Sequence, residues 1–332
     1  MQLGLETESM HLWFQNARMD IFSFIELAHS LNLDGVVINI IKDYGLNPNW
    51  GCLGSNEEEH LRKVRGLLDK YNMYCEIDSK GFELGKFEQI ARVARILDAC
   101  IIRSYVPLSG KKTSSLASKG AFDDSKIDGD FDKADFLSSA EQIKALLPLL
   151  EANNLRLAIE NHEYQTSEDL LELLSLVGSE RVGFLFDFGN SMMAYEEPVK
   201  ACYNMASKVI STHCKDHVIM KEEDAFYVCG VPIGQGFVDV KACIDILKAK
   251  GLGRINIEMC FPYCSSFKRK KGTGGVSELG QGAFRVRDPL FAGLSAMQYY
   301  YPQEVSEEAL NRLLKVQLEG VKSSVEHVRG LI

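Results

Sequence analysis

The chain has 332 residues, 46% of them hydrophobic, which supplies a core for one large α/β domain or two average ones. Its 46 acidic residues outnumber 37 basic ones, and a formal charge of -9 argues against a surface built to neutralise nucleic-acid phosphates or anionic lipid, with Lys268 to Lys271 as a short basic exception. Nine scattered cysteines without a CxxC pair suit reduced core thiols, and no basic leader or run of about 18 apolar residues occurs, so the expectation is a soluble cytoplasmic protein with no membrane partner.

In chain order, short apolar, β-branched runs predict strands at Leu3 to Glu6, Val36 to Ile41, Tyr74 to Asp78, Cys100 to Tyr105, Leu157 to Glu160, Val182 to Asp187, Val209 to Lys215 and Ile255 to Met259. Helical-period segments alternate with them. In 57 to 71, Leu61, Val64, Leu67, Leu68 and Tyr71 recur on one face; 134 to 151, 197 to 207 and 238 to 250 follow the same rule, and a last helix from about 305 to 330 closes the series. Eight βα units without a GxGxxG after the first strand predict a (β/α)8 TIM barrel rather than an open dinucleotide-binding sheet, with residues 1 to 332 as one domain. Two segments are too long for ordinary βα loops: 107 to 132 after strand four and 261 to 302 after strand eight, the latter an extended insertion on the C-terminal face. Its aromatic stretch, around Phe291, Tyr299, Tyr300 and Tyr301, either folds against the barrel rim or covers a substrate or partner.

Four successive strands deliver a ligand-type side chain to one rim: Glu160, Asp187, His213 and Glu258. Any one of them alone would read as a helix cap or a solvated rim residue. Together, three carboxylates and an imidazole form an oxygen-rich site for one divalent ion, Mn²⁺ first, with Mg²⁺, Co²⁺ or Zn²⁺ as alternatives. Without a cation, like charges at such close range in a partly desolvated site repel strongly.

His162 lies two residues beyond Glu160, so persistent strand geometry points it to the same face, where a neutral imidazole can take a proton; a further ligand or a loop hydrogen-bonder is the competing role. Lys215, two beyond His213, either balances the carboxylates, binds a substrate oxygen or forms a surface salt bridge. Asn190 is a substrate donor or a helix cap, and Arg103 and Glu76 are weaker rim candidates. Asp216 and His217 read as groups that orient their neighbours.

The motifs "LAIENH", "VGFLFDFGN", "STHCKDH", "PIGQGFVDV" and "INIEM" resemble the sugar phosphate isomerase/epimerase family with the xylose-isomerase-like TIM barrel, in order and most strongly from about 155 to 260. That resemblance implies one divalent metal on Glu160, Asp187, His213 and Glu258, with enediolate chemistry on a sugar. "ENH", "THCKDH" and the spacing Gly230, Pro232, Gly234, Gly236, Asp239 are more similar to the branch of 3-oxo-isoapionate decarboxylases and C-glycoside deglycosidase α subunits. It implies a carbon–carbon lyase acting on 3-oxo-C-glycosides, with catalytic His162, Glu160 and Glu258, substrate contacts from Lys215, Asn190 and Arg103, and a small β subunit as partner. Rival readings are an isomerase or epimerase using Glu160 and Glu258 as paired acid and base, a 3-oxo sugar acid decarboxylase through the same enediolate chemistry, a DNA-repair endonuclease, and a non-catalytic barrel subunit. The endonuclease needs more rim histidines than seven in total allow, His11, His29, His60 and His327 being expected elsewhere, and a non-catalytic subunit has no need of four ligands.

Overall fold

The computed structural model describes residues 1–41, 50–107, 133–288 and 306–332. The strands in chain order are β1 (Gln2–Glu6), β2 (Gly35–Asn39), β3 (Tyr74–Asp78), β4 (Ile101–Ser104), β5 (Arg156–Glu160), β6 (Val182–Asp187), β7 (Val209–His213), β8 (Asp216–Glu222), β9 (Ala225–Val231), β10 (Arg254–Ile257), β11 (Cys264–Ser266) and β12 (Val286–Arg287). Eight of them form one all-parallel sheet in the order β10-β1-β2-β3-β4-β5-β6-β7. The ring closes between its end strands, where Cys214 bridges Ile257 in parallel sense and Cys214 N–H donates to the Asn256 carbonyl. This is the expected (β/α)8 barrel, and strand ends agree with the sequence reading to within about two residues, the scatter of any boundary assignment.

The helices are α1 (His11–Gln15), α2 (Ile21–Ser30), α3 (Glu58–Lys70), α4 (Leu84–Leu97), α5 (Lys133–Ala152), α6 (Ser167–Val177), α7 (Pro198–Met205), α8 (Val240–Ala249) and α9 (Glu307–Arg329). Their starts are written locally. Asp20 with Ser23, and Thr166 with Asp169, form reciprocal capping boxes that satisfy the first free N–H groups of α2 and α6. On α3, Leu61, Val64 and Leu68 are buried at helical spacing while the charged residues face outward. β2 and β6 are buried along their whole length because the barrel interior covers one face and helices the other.

A second, four-stranded sheet, ordered β11-β9-β8-β12, departs from the expectation. The strand predicted from Val209 to Lys215 ends at His213, and the chain restarts at Asp216 as an antiparallel hairpin turning at Glu223, which holds a left-handed φ of 52°. β11 and β12 from the long segment after the eighth barrel strand flank that hairpin. Residues 108–132 and the aromatic stretch around Phe291, Tyr299, Tyr300 and Tyr301 lie outside the described residues.

The expectation of reduced cysteines holds for seven of the nine and is corrected at one pair. Cys229 and Cys264 form a disulfide, because the antiparallel register of β9 and β11 sets them directly opposite each other. Their separation of 35 residues gave no sign of this pairing. No described helix is long and apolar enough to cross a membrane.

Candidate metal centre and active site

Side-chain alternation along the strands directs Glu160 at the end of β5, Asp187 at the end of β6 and His213 at the end of β7 into the barrel mouth, where Asp187 and His213 are direct register partners. Glu258 joins them one residue past β10. One donor atom from each of the four lies within 4.8 Å of all the others. His213 Nδ1 is 2.6 Å from Glu258 Oε2, 3.2 Å from Glu160 Oε1 and 3.9 Å from Asp187 Oδ2. All four residues are buried, and Glu160 Oε2, Asp187 Oδ2 and Glu258 Oε2 have no aligned hydrogen bond. Three buried carboxylates crowded this closely repel one another, and together with an imidazole they suit one hard divalent ion. The cluster can therefore hold such an ion.

Fixed cations and donors surround it. Lys215 Nζ is 3.0 Å from both Asp187 Oδ2 and Glu258 Oε2, so Lys215 is a partner of the carboxylates and not a surface salt bridge. Arg103 pairs with Glu160 Oε2 and stands 4.0 Å from Asp78 Oδ2. Asn190 Nδ2 is 3.3 Å from Glu160 Oε1, and the N–H groups of Gly189 and Asn190 donate to Asp187 Oδ1. Asn161 locks the tops of β5 and β6, its side chain exchanging two hydrogen bonds with the Asp187 backbone.

The electrostatics follow from burial competing with these neighbours. Burial works to raise the Glu160 carboxyl, but Arg103, His162 and His213 together hold it well below the usual range. Glu258 is drawn down to about 2 against its burial, by His213 and Lys215. Asp187 is pushed up to about 7 by burial, with Glu160 and Glu258 adding to it and Lys215 opposing. Burial lowers the His162 imidazole, which favours its neutral form, and Glu160 and Glu163 only partly offset that.

His162 does stand at the rim, its ring stacked on Tyr105 at 4.0 Å between centroids and 11° between planes. Beside it, Glu163 adopts a left-handed φ of 59° and accepts a hydrogen bond from the Tyr263 hydroxyl, while Lys268 Nζ lies 3.6 Å from its other oxygen. Arg269 donates to the Tyr164 carbonyl and to Asp169. The basic run at 268 to 271 thus begins with two residues engaged by the β5–α6 connection, which removes them from any surface patch. Asp216 accepts N–H bonds from Gly234, Gly236 and Val238, and His217 packs against Gly189 with Nε2 3.5 Å from Cys260 Sγ. Both hold neighbouring chain in place, as their sequence context suggests.

Glu76 is not a rim residue. It sits one inward step deeper than Asp78, accepting from Ser211 Oγ at 2.5 Å, Arg254 Nη1 at 2.9 Å and Asn256 Nδ2 at 3.2 Å. Its place at the rim is taken by Asp78, whose Oδ2 is 3.0 Å from His213 Nε2. Glu6 and Glu8, at and just after the end of β1, were also missed; with Glu258 they form a second close carboxylate group, and burial, then Glu258, raises the Glu6 carboxyl. The signal for Asp78 and Glu6 was available, since each closes a predicted strand as Glu160 does. His11, expected away from the rim, follows β1 on that face but turns to the Glu8 carbonyl and Gln317 of α9.

An eight-stranded parallel barrel with a carboxylate–imidazole cluster at the C-terminal ends of its strands defines the class: a TIM barrel with a site able to hold a divalent metal. A family model described as xylose isomerase-like TIM barrel matches residues 25–274, and the chain belongs to that family. It is 24% identical over 184 residues to the 3-oxo-isoapionate decarboxylase of Pectobacterium atrosepticum, a match covering 55% of this chain and 59% of the decarboxylase. Among solved structures it resembles D-psicose 3-epimerase in the presence of D-fructose, with a TM-score of 0.59 and 14% identity over 100% of this chain and 99% of the epimerase. It also resembles the IOLI protein with a binding zinc atom, with a TM-score of 0.59 and 15% identity over 97% of this chain and 98% of that one.

Proposed function

We propose that this chain is a divalent-metal-dependent enzyme acting on keto sugars, and specifically the catalytic α subunit of a carbon–carbon lyase that cleaves 3-oxo-C-glycosides. Glu160, Asp187, His213 and Glu258 would hold the ion, with Mn²⁺ preferred, and residues 1 to 332 form one domain. A bound divalent ion supplies Lewis-acid polarisation of the ketone, which acidifies the neighbouring C–H.

The observation that carries the reading is His162: an imidazole stacked on Tyr105 and two residues past Glu160, its proton affinity lowered by burial. It takes the proton from C2 of the sugar, and the C–H electron pair becomes that of an enolate. As the ketone re-forms, the enolate pair makes the C1=C2 double bond and the bond from C1 to the aglycone breaks; its electrons leave with the aglycone carbon, which takes a proton from water while His162 returns its own to solvent. An anhydro-enone sugar remains. Arg103 and Asn190 contact Glu160, and Lys215 contacts Glu258; in this reading all three would also meet substrate oxygens. The likeness to a 3-oxo-acid decarboxylase supports an electron-sink ketone beside the bond that breaks. A small β subunit docking on the C-terminal face is part of the same proposal, as is a cytoplasmic setting.

The likeness to a ketose epimerase supports the second reading, an isomerase or epimerase that forms the same enediolate and returns the proton. The two separate in D₂O. The Mn²⁺-loaded protein is incubated with a 3-oxo-C-glucoside and with a ketose panel, with and without a candidate small subunit, and aglycone release and deuterium uptake are followed together. Release that falls about 10²- to 10⁴-fold in His162→Ala and is lost in Glu160→Gln is the expected result. Exchange or epimerisation of ketoses without release would overturn the lyase in favour of the epimerase.

A further inference from the structure

Lys215 is built into the ligand ring and not merely placed beside it. Its ammonium is equidistant, at 3.0 Å, from Asp187 Oδ2 and Glu258 Oε2, which belong to two of the four residues of the donor set, and the residue is only 8% exposed. Its stem emerges two residues past His213, between the end of β7 and the start of β8, so the backbone on both sides is fixed by strand pairing. Burial and the two carboxylate contacts hold the charge beside those oxygens. Arg103, a second cation beside the ring, pairs with Glu160 and stands 4.0 Å from Asp78 Oδ2.

Coulombic repulsion rises as separation and local dielectric fall, so a tethered ammonium at this range opposes any second cation that approaches the same oxygens. It also offsets the charge of Asp187 and Glu258, as Arg103 offsets that of Glu160. We propose that Lys215 is an internal counter-ion that weakens divalent-metal binding at the ring, so that the ion is held exchangeably. The proposal rests on the metal-centre reading of Glu160, Asp187, His213 and Glu258. Lys215 acts here as a positioning residue for charge, and its effect is readable without any substrate.

The test titrates metal-free native protein, Lys215→Met, Lys215→Gln and Lys215→Arg with Mn²⁺ alone, at one pH and ionic strength, by competition with a chelator of known affinity. The thermal midpoint of each is recorded with and without Mn²⁺. The two neutral variants are expected to bind Mn²⁺ at least tenfold tighter than the native protein, to melt lower without the ion, and to gain more from it. Lys215→Arg, which keeps the charge, is expected to stay within about threefold of native. Having two neutral variants guards against one that fails to fold. Equal or weaker binding in the neutral variants overturns the inference while leaving the metal centre standing. Binding in the neutral variants alone supports it. Binding in none of them overturns it together with the metal-centre reading.

Discussion

Asp78 Oδ2 stands 3.0 Å from His213 Nε2, on the side of the imidazole opposite the nitrogen that faces Glu258. Asp78 thus stands where it can accept from Nε2, while Nδ1 faces Glu160, Asp187 and Glu258. Such an outer partner fixes tautomer and ring orientation, and its loss typically weakens metal binding 10- to 100-fold. Asp78→Ala is therefore expected to weaken Mn²⁺ binding by about that factor in a chelator-competition titration, and Asp78→Asn, which retains an acceptor, by less. The sign is opposite to that expected of Lys215→Met, so the pair separates orientation from charge competition at one site. An unchanged affinity in Asp78→Ala would show that packing alone orients the ring.

His217 makes stability depend on pH. Burial, and next the Lys215 ammonium, push its proton affinity down to about 3, far below the value of 6.5 expected in the unfolded chain. The folded state therefore excludes a proton that the unfolded state takes up. This contribution is complete above pH 6.5 and is lost as pH falls from there toward 3, with a slope that approaches about 1.4 kcal/mol per pH unit for one proton. Urea unfolding at pH 7, 6 and 5 should show native stability falling more steeply than that of His217→Gln, by close to one proton between pH 6 and 5. Parallel curves would mean that His217 is protonated in the fold.

Below the ring, Glu76 forms a polar plug in the barrel. Arg254 stacks on Tyr74 at 4.0 Å and donates to Glu76, and Tyr74 in turn donates to Asn256. Gly35 admits the Tyr74 ring, since a Cβ at that position would lie 2.4 Å from it. Arg254→Met strips a buried carboxylate of its counter-ion and is expected to cost about 3 kcal/mol in chemical denaturation. Gly35→Ala forces the ring out and should cost a similar amount, about 3 kcal/mol, with no change in Mn²⁺ affinity. A loss of metal binding in either variant would mean that plug and ring are one mechanical unit.

These examples mark how far the sequence could be read. The barrel was legible because parallel strands buried on both faces appear as apolar runs, and the ring was legible because Glu160 and Asp187 close such runs while His213 and Glu258 lie within the last residues of theirs. Glu76 reads as the rim residue of its strand although Asp78 shares its face and lies one step nearer the C-terminal end; register against β4, where Asp78 meets Arg103, decides which of the two reaches the rim. The hairpin of β8 and β9 was lost because its first strand follows β7 after a break of two residues and looks continuous with it. The Cys229–Cys264 bond and the Tyr263–Glu163 contact join segments that no local pattern connects.

That last contact bridges two sides of the barrel mouth, since Glu163 follows β5 and Tyr263 follows β10. Lys268 adds an ion pair to Glu163, and Phe267, the residue before it, stacks on Tyr195 at 4.1 Å. Burial and then the Glu163 carboxylate hold the Tyr263 phenol protonated, so it remains a donor throughout the working pH range. A buried hydrogen bond to a charged acceptor contributes about 2 kcal/mol, and Tyr263→Phe should lose that amount in chemical denaturation and speed amide exchange across residues 161 to 166. Glu163→Gln keeps an acceptor for the phenol but not the ion pair, so its loss should be smaller. If Tyr263→Phe leaves exchange at His162 and Glu163 unchanged, the left-handed turn at Glu163 is maintained by the β5–α6 connection itself, and the bridge serves to place the 263 to 269 segment over the ring.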